Sequence, residues 1–339
     1  MRSKTKQVVF ALTAVASTVV GSIGCLLALD VYEHHRMAAN AGLNIWGYRG
    51  LVVGRKKAGE RRIVVVGEST AFGYGVHWQE SFPVYLQDLL NQQYASAGHP
   101  VTVVNLGYND EGAHSYRFTL VDYAYLDYDA VVFYSGYNDL GKNLNVFRHG
   151  SPIFRLTGYM PILPVVLREK AMVITSGGRL EDAYLGKKVV FRPNTVQQVT
   201  ASALEGLAYA MYSIERPTAS EGEQPDPGEI KEGAACGPYW AQYCGAMYEA
   251  VKSAVDRHKQ VMITIQPRLS KEHIEEQERL GAFLRRRFDG NPLLHFADLR
   301  DAVDFARDAS LNVDGMHLTA AGNRVIADKL AKPVSEMFR

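Results

Sequence analysis

The chain has 339 residues, of which 47% are hydrophobic and 22% are charged. Its 37 Lys and Arg residues nearly balance its 36 Asp and Glu residues, so the net charge of +1 does not favour nucleic acid or acidic surfaces as partners. This length is enough for one large α/β domain, and the sequence contains no visible internal repeat.

The N-terminal segment has the pattern of a membrane anchor. Basic residues Arg2, Lys4 and Lys6 precede an uncharged run of 22 residues, Val8 to Leu29. At ~1.5 Å per residue a helix of that length crosses a ~30 Å hydrocarbon layer. Because the basic flank stays in the cytoplasm, we expect residues 30–339 on the periplasmic or extracellular side.

Two other interpretations of residues 1–29 remain open. A cleaved signal peptide would suit the frequent Ala, Ser and Gly, although its apolar region is usually only ~7–15 residues long. A lipoprotein cleavage site at Cys25 is a minor alternative, because Ser22 stands where a branched apolar residue is expected.

Beyond the anchor, strands and helices alternate, which predicts a parallel sheet covered on both faces. We interpret residues 30–60 as a juxtamembrane connector and residues 61–339 as one domain, with insertions at about 142–192 and 216–238. The predicted strands are Ile63–Val66, Val101–Leu106, Ala130–Tyr134, Val261–Ile265 and Leu294–Ala297. The predicted helices are Phe82–Tyr94, Ser115–Leu126, Val199–Ile214, Tyr239–His258, Ile274–Phe288 and Ala320–Leu330, the last with Thr319 as its N-cap.

Ser69 is a candidate nucleophile because of its position after the first strand. Ile63 to Val66 are four β-branched residues typical of a buried parallel strand, and the glycines around Ser69 indicate a sharp exit from it. A hydroxyl at that point lies at the edge where open α/β sheets bind ligands. The alternative is that Ser69 only caps the following helix.

Asp314 and His317 form a second candidate pair. They lie three residues apart in a predicted loop, close enough for the carboxylate to orient the imidazole as a general base. Taken alone, the pair is also compatible with a surface turn that caps a helix. His77, His99 and His114 have no metal-ligand spacing with His317, so we expect neither a metal nor an organic cofactor.

Together these residues resemble the four sequence blocks of the SGNH, or GDSL-like, serine hydrolases, in the family's order. The blocks are Gly67-Glu68-Ser69, Gly107 in Asn105-Leu106-Gly107, Gly136-Tyr137-Asn138-Asp139, and Asp314-Gly315-Met316-His317. The resemblance implies a flavodoxin-like three-layer α/β/α sandwich with a parallel sheet, preceded here by one transmembrane helix. It also implies a triad of Ser69, His317 and Asp314. The implied oxyanion hole consists of the backbone N–H groups of Ser69 and Gly107 and the side-chain amide of Asn138.

The chain departs from the family pattern at two points. Glu68 replaces the usual Asp before the serine, which keeps a carboxylate but lengthens its reach. The long insertion between the third and fourth blocks is not implied by the motifs, and we expect it to influence the choice of substrate. An α/β-hydrolase fits less well, since Ala71 stands where its nucleophile elbow requires Gly.

The function that these residues indicate is a membrane-anchored serine hydrolase that cleaves carboxylic esters through an acyl-serine intermediate. Its location suggests O-acyl or O-acetyl groups of an envelope glycan as substrate, with a lipid ester as the second choice. An acyltransferase with the same triad, and a non-catalytic assembly or binding protein that retains the fold, are the alternatives. The oligomeric state stays undetermined.

The cysteines and the aromatic residues of the chain carry two smaller expectations. Cys236 and Cys244 flank a loop, and both a disulfide and a pair of free thiols are compatible with the sequence. Most of the aromatic run from Tyr123 to Tyr137 is typical of helix and strand packing, and only Tyr137, beside Asn138, is expected to line a site.

Overall fold

The computed structural model describes residues 2–40, 42–94, 99–109, 111–141, 156–157, 159–177, 193–215 and 227–339. The chain divides into two compact units. One, which we name the sheet unit, comprises Asn40–Gly158 and Thr218–Arg339. The other, the helical unit, comprises Met1–Ala39 and Tyr159–Pro217. Large parts of both expected insertions, 142–155 and 216–226 among them, lie outside the described residues.

The sheet unit is built on five parallel strands. They are β1 Arg61–Gly67, β2 Val101–Asn105, β3 Ala130–Tyr134, β4 Gln260–Ile265 and β5 Leu294–Asp298. Their order in the sheet is β2-β1-β3-β4-β5, the order of flavodoxin-like folds. In this register Val65 pairs with Asn105 on one side and with Val132 on the other, so β1 is an interior strand next to the edge strand β2. The predicted parallel sheet is confirmed.

The α-helices of the described residues are numbered along the chain. They are α1 Arg2–Asn40, α2 Ser69–Phe72, α3 Phe82–Leu89, α4 Ala113–Asp122, α5 Leu163–Ser176, α6 Thr195–Glu215, α7 Pro227–Gly233, α8 Ala241–Val255, α9 Lys271–Arg287 and α10 Ala320–Glu336. The predicted N-cap of α10 is confirmed, because the hydroxyl of Thr319 accepts the N–H of Gly322 at 3.2 Å.

Helices cover both faces of the sheet. On one face the alternate residues Ile63, Val65 and Val132 share a buried core with α3 and α10. On the other face Phe133 contacts Tyr116 of α4, with 6.0 Å between ring centroids. Strands β1 and β3 are buried on both faces, which is why Ile63–Val66 and Ala130–Tyr134 consist of uninterrupted apolar residues and not of alternating ones. The three-layer architecture expected from the sequence is therefore present.

Three predicted helices end earlier than their apolar spacing suggested. The helix predicted for Tyr239–His258 ends at Val255. The helix predicted for Ser115–Leu126 stops at Asp122 and is followed by a short 3-10 turn, Ala124–Leu126. Asp127 ends that turn in the left-handed conformation, with φ of 50°. The helix predicted for Phe82–Tyr94 is regular only to Leu89 and then widens into a π-type turn.

The helical unit consists of α1, α5 and α6. Leu163 and Leu167 of α5 and Ala208 of α6 form a small buried core, against which Leu26 of α1 packs. Just past Leu26, the carboxylate of Asp30 accepts the N–H groups of Ile162 and Leu163 at 2.9 and 2.6 Å. A side chain of α1 thus satisfies backbone donors at the start of α5.

Among the described residues, one helix is long and apolar enough to cross a membrane. It covers Thr5–Arg36 within α1 and contains the uncharged run found in the sequence. A signal sequence would have the same property.

Candidate active site

Ser69 stands at the first turn after β1. Gly67 ends the strand where no side chain fits, because a Cβ there would lie 2.1 Å from the carbonyl oxygen of Tyr134. Gly73, with φ of 83°, ends α2 after four residues. The N-cap of α2 is Glu68, and Ser69 is its first helical residue. The alternative that Ser69 only caps the helix is therefore wrong.

The hydroxyl of Ser69 contacts the imidazole of His317. The distance between Ser69 Oγ and His317 Nε2 is 2.8 Å, and that between His317 Nδ1 and Asp314 Oδ2 is 2.7 Å. If Nδ1 carries the proton and donates to Asp314, Nε2 is the acceptor that faces the serine. The fold thus brings Ser69, His317 and Asp314 into one hydrogen-bonded chain.

Hydrogen bonds within the loop hold the loop that carries Asp314. Oδ1 of Asp314 accepts the N–H groups of Met316 and His317 at 3.1 and 2.8 Å, while Val313 N–H donates to the carbonyl of His317 at 2.7 Å. Burial opposes ionisation of Asp314, but the hydrogen bonds and charge of His317 outweigh it, and the pKa of Asp314 lies below its usual range. Asp314 is therefore ionised at neutral pH and suited to orient an imidazole.

Tyr74 is a neighbour of His317 that the sequence motifs did not indicate. Its ring lies 4.8 Å from the imidazole, measured between centroids, and its N–H donates to the carbonyl of Ser69 at 2.9 Å. Tyr74 therefore contacts both the backbone of Ser69 and the imidazole of His317. Its only signal in the sequence is its place in Gly73-Tyr74-Gly75, which follows the serine block.

Glu68 connects the first and third sequence blocks. Its carboxylate is fully buried and accepts the backbone N–H groups of Gly136 at 2.7 Å and of Asn138 at 3.1 Å. Burial and then the charge of Asp139 raise the pKa of Glu68 to about 8. The longer side chain of Glu68 thus reaches the loop after β3 and binds that loop beside Ser69.

The three groups implied for the oxyanion hole have different environments. Ser69 lies in the first turn of α2, where backbone N–H groups have no acceptor within the helix. The amide of Asn138 donates one hydrogen to the carbonyl of Glu111 at 2.9 Å, which leaves its second hydrogen for another acceptor. The N–H of Gly107 instead donates to Oδ1 of Asn105 at 2.9 Å, so a role in the hole requires that this bond be shared or released.

Two further carboxyl groups lie buried near Asn138. Asp139 accepts the N–H of Ala113 at 3.2 Å, and Glu111 accepts the hydroxyl of Thr119 at 2.8 Å. Burial raises the pKa of Asp139 to about 6 and that of Glu111 well above its ordinary value. Sequence reasoning gave no role to Glu111, because nothing in the motif indicates that the chain after β2 returns beside Asn138.

Arg49 supports the far end of α2. Its guanidinium donates to the carbonyl oxygens of Phe72, Gly73 and Val76, the last two at 2.6 and 2.5 Å, and it lies over the ring of Phe72. Burial lowers the pKa of Arg49 to about 10, so the group remains charged at neutral pH. Arg49 falls in the segment interpreted as a juxtamembrane connector, yet its side chain is buried in the sheet unit.

Tyr137 is packed inside the sheet unit. Its hydroxyl donates to the carbonyl of Pro267 at 2.7 Å, and its ring lies 4.7 Å from that of His273. The expectation that Tyr137 lines a site is not met, because its side chain is buried and its polar end already has a partner.

The sequence left open whether Cys236 and Cys244 are bonded or free, and in the structure they form a disulfide.

Chemically, the arrangement can activate a hydroxyl. His317 can accept the proton of Ser69 as the oxygen attacks a carbonyl carbon, and Asp314 can stabilise the imidazolium that forms. In the described part of the chain, no group of three or more His, Cys, Asp or Glu residues could hold a metal ion.

No family model matches the chain, and no curated protein sequence does. Solved structures do. The chain is similar to a G-D-S-L lipolytic protein from Veillonella parvula, with 10% identity, a TM-score of 0.43 and coverage of 80% of this chain and 97% of that one.

The chain is also similar to the esterase EstA from a Pseudoalteromonas species, with 10% identity, a TM-score of 0.43 and coverage of 82% and 98%. The acetylxylan esterase Axe2 from Geobacillus stearothermophilus is similar with 12% identity, a TM-score of 0.42 and coverage of 84% of this chain and 96% of that one. The structures to which this chain is similar thus include a lipolytic protein of the G-D-S-L family and two esterases.

Proposed function

We propose that the protein is a serine hydrolase that cleaves carboxylic esters, with Ser69 as nucleophile, His317 as general base and Asp314 as its orienting partner. The observation that carries this proposal is the continuous contact from Ser69 Oγ to His317 Nε2 at 2.8 Å and from His317 Nδ1 to Asp314 Oδ2 at 2.7 Å. These are the distances at which proton transfer between such groups occurs.

The reaction divides into two half-reactions. Ser69 Oγ attacks the ester carbonyl as its proton passes to His317, and collapse of the tetrahedral adduct expels the alcohol, which takes that proton. Water then attacks the acyl-serine with His317 again as base, and the products are the acid and the free enzyme. The backbone N–H of Ser69 and the free amide hydrogen of Asn138 would stabilise both oxyanions, with Gly107 as a third donor if its bond to Asn105 is released.

The direct test is covalent labelling. A fluorophosphonate probe reacts with an activated serine, so the intact chain should be labelled and Ser69→Ala should not. Ser335→Ala, at a half-buried serine on α10, is a control that should keep full labelling. Absence of labelling in the folded, intact chain would refute the serine-nucleophile proposal and favour a non-catalytic protein.

The substrate class follows from the proposed location. If α1 is an uncleaved anchor and its basic flank stays in the cytoplasm, the sheet unit faces the periplasm or the outer surface. O-acyl or O-acetyl groups of an envelope glycan are therefore the first candidates and lipid esters the second. An ester panel with acetylated oligosaccharides and phospholipids should rank the two classes by kcat/KM.

Topology has its own test. A reporter that is active only outside the cytoplasm, fused to the C-terminus, should give signal, and the chain should sediment with membranes. Activity of a cytoplasm-only reporter at the same position would overturn the proposed topology without affecting the triad.

A transferase would use the same acyl-serine, since only the acceptor that reaches the intermediate differs. Product analysis in the presence of an alcohol or glycan acceptor separates the two outcomes. Release of free acid at the same rate with and without acceptor supports the hydrolase, and stoichiometric appearance of the acylated acceptor supports the transferase.

A further inference from the structure

Helix α6 has two apolar faces. The inner face, with Ala208, packs in the small core of the helical unit, together with Leu204 and Met211. The second, which we name the outer face, is exposed and consists of Val196, Val199, Ala203, Leu207 and Ala210. These residues recur every three or four positions and therefore form one stripe along the helix.

The outer face is large and apolar for a surface in contact with water. The side chains of Val196, Val199 and Leu207 are exposed by 74, 64 and 41%. Gln198 and Glu205 lie on a different side of the helix, which also carries the exposed ring of Tyr209. A contiguous exposed apolar patch of this kind marks an interaction surface.

The position of α6 within the helical unit indicates what covers that surface. The core beneath α6 includes Leu26, which belongs to the uncharged run Val8–Leu29 of α1. Leu26 lies three residues from the end of that run, about 4.5 Å along the helix axis. If the run occupies the hydrocarbon layer, the residues that pack on Leu26 lie at its boundary.

Polar contacts also join α5 to α1 at the end of the uncharged run. Asp30, the first charged residue after the run, binds the backbone at the start of α5. Glu33, one turn further on, pairs with Lys170 of α5 at 3.0 Å. The α5–α6 pair is therefore attached to α1 at the point where the apolar run ends.

We propose that the outer face of α6 rests in the boundary between headgroups and acyl chains of the bilayer that α1 crosses. The proposal depends on the membrane anchor put forward above. Helices with one apolar face lie in this boundary with the apolar side towards the acyl chains. The charged residues of α6 are Glu205 and Glu215, so the attraction comes from apolar burial and not from anionic lipid.

The test measures where side chains of the full chain lie in phosphatidylcholine vesicles. A nitroxide is attached to one introduced cysteine at a time in a Cys25→Ser background, without reductant, so that Cys236 and Cys244 stay bonded. Val199→Cys and Leu207→Cys report the outer face, and Gln198→Cys and Glu205→Cys are the matched controls on the polar side. Val15→Cys reports the uncharged run of α1.

Relaxation by oxygen, which concentrates in lipid, should exceed relaxation by a water-soluble nickel chelate at Val199 and Leu207, with the opposite order at Gln198 and Glu205. Equal values on both sides of α6, with Val15 in lipid, would overturn this inference and leave the anchor intact. An aqueous Val15 would overturn both. Spin–spin broadening on the outer face that unlabelled protein relieves would identify a second copy as the occupant and also reject the proposal.

Discussion

Glu68 and Asn138 are joined by a hydrogen bond of 3.1 Å from the backbone N–H of Asn138 to Oε2 of Glu68. Oε1 of the same carboxylate accepts the N–H of Gly136 at 2.7 Å. The residue before the proposed nucleophile therefore holds the loop that carries the proposed oxyanion donor. This relationship has a consequence for stability, because the carboxyl group that makes it is fully buried.

Glu68→Gln should flatten the dependence of stability on pH. In the unfolded chain the carboxyl ionises near its ordinary pKa of about 4.5, whereas burial raises the pKa of Glu68 in the folded chain to about 8. The folded state binds more protons between these values, so stability is lost as pH rises through this window. The slope can reach ~1.4 kcal/mol per pH unit, and Gln removes it.

Urea unfolding at several pH values between 6 and 9 measures this slope. The pKa of Asp139 is raised only to about 6, so its contribution has largely ended in that range. Glu111, whose pKa burial raises well above its ordinary value, also contributes to the slope, so the measured quantity is the difference in slope between Glu68→Gln and the unchanged chain. Glu336→Gln, at an exposed carboxyl on α10, should leave the slope unchanged. An unchanged slope in Glu68→Gln would mean that Glu68 is ionised when buried.

The role of Glu68 could not be derived from the sequence. The motif indicates a carboxylate before the serine. Why the longer side chain of Glu is needed there can be seen only from its hydrogen bonds to the backbone of Gly136 and Asn138. The parallel sheet could be predicted, because strands buried on both faces are recorded directly in runs such as Ile63–Val66. Contacts between segments far apart in the chain, such as Arg49 with the end of α2, leave no such local pattern.

Ser69→Ala and His317→Ala should each reduce kcat by ~10⁴-fold or more without unfolding the sheet unit. The double variant should be no worse than either single variant, because the two residues act on the same proton. His99→Ala, at an exposed histidine outside the proposed triad, is the matched control. Rates are measured with a soluble acetyl ester and folding by circular dichroism. Substantial turnover in Ser69→Ala would exclude the covalent mechanism.

Asp314→Asn should lower kcat by ~10⁴-fold, because an amide can present its N–H to Nδ1 and favour the tautomer with the proton on Nε2. That tautomer cannot accept a proton from Ser69. Asp314 also accepts two backbone N–H groups, so the melting temperature must be measured on the same sample. Asp304→Asn, in an exposed turn, serves as the control. A folded Asp314→Asn with wild-type kcat would remove Asp314 from the proposed triad.

Replacing Cys236 and Cys244 together by Ser should lower stability by ~2–3 kcal/mol, the entropy expected for a short closed loop. The two residues are eight positions apart, and the bond joins the turn before α8 to α8 itself. Activity per folded molecule should persist, since neither cysteine belongs to the proposed site. Cys25→Ser is the control. Free thiols at both positions in non-reducing peptide mapping would contradict the bond.

Asn138→Ala is the sharpest test of the site, because the amide of Asn138 has a structural hydrogen bond besides its proposed role in the oxyanion hole. One amide hydrogen already bonds the carbonyl of Glu111 at 2.9 Å, and a residue that only shaped the turn would need nothing more. If the second hydrogen stabilises the oxyanion, its loss should lower kcat by ~100–1000-fold, equivalent to ~2.7–4 kcal/mol, with little change in KM. A turn residue would instead lower the melting temperature and leave the kcat of the folded protein near normal. Measuring both on one preparation, with Asn291→Ala as a turn control, separates the two roles, and near-normal kcat would leave Ser69 and Gly107 as the only proposed donors.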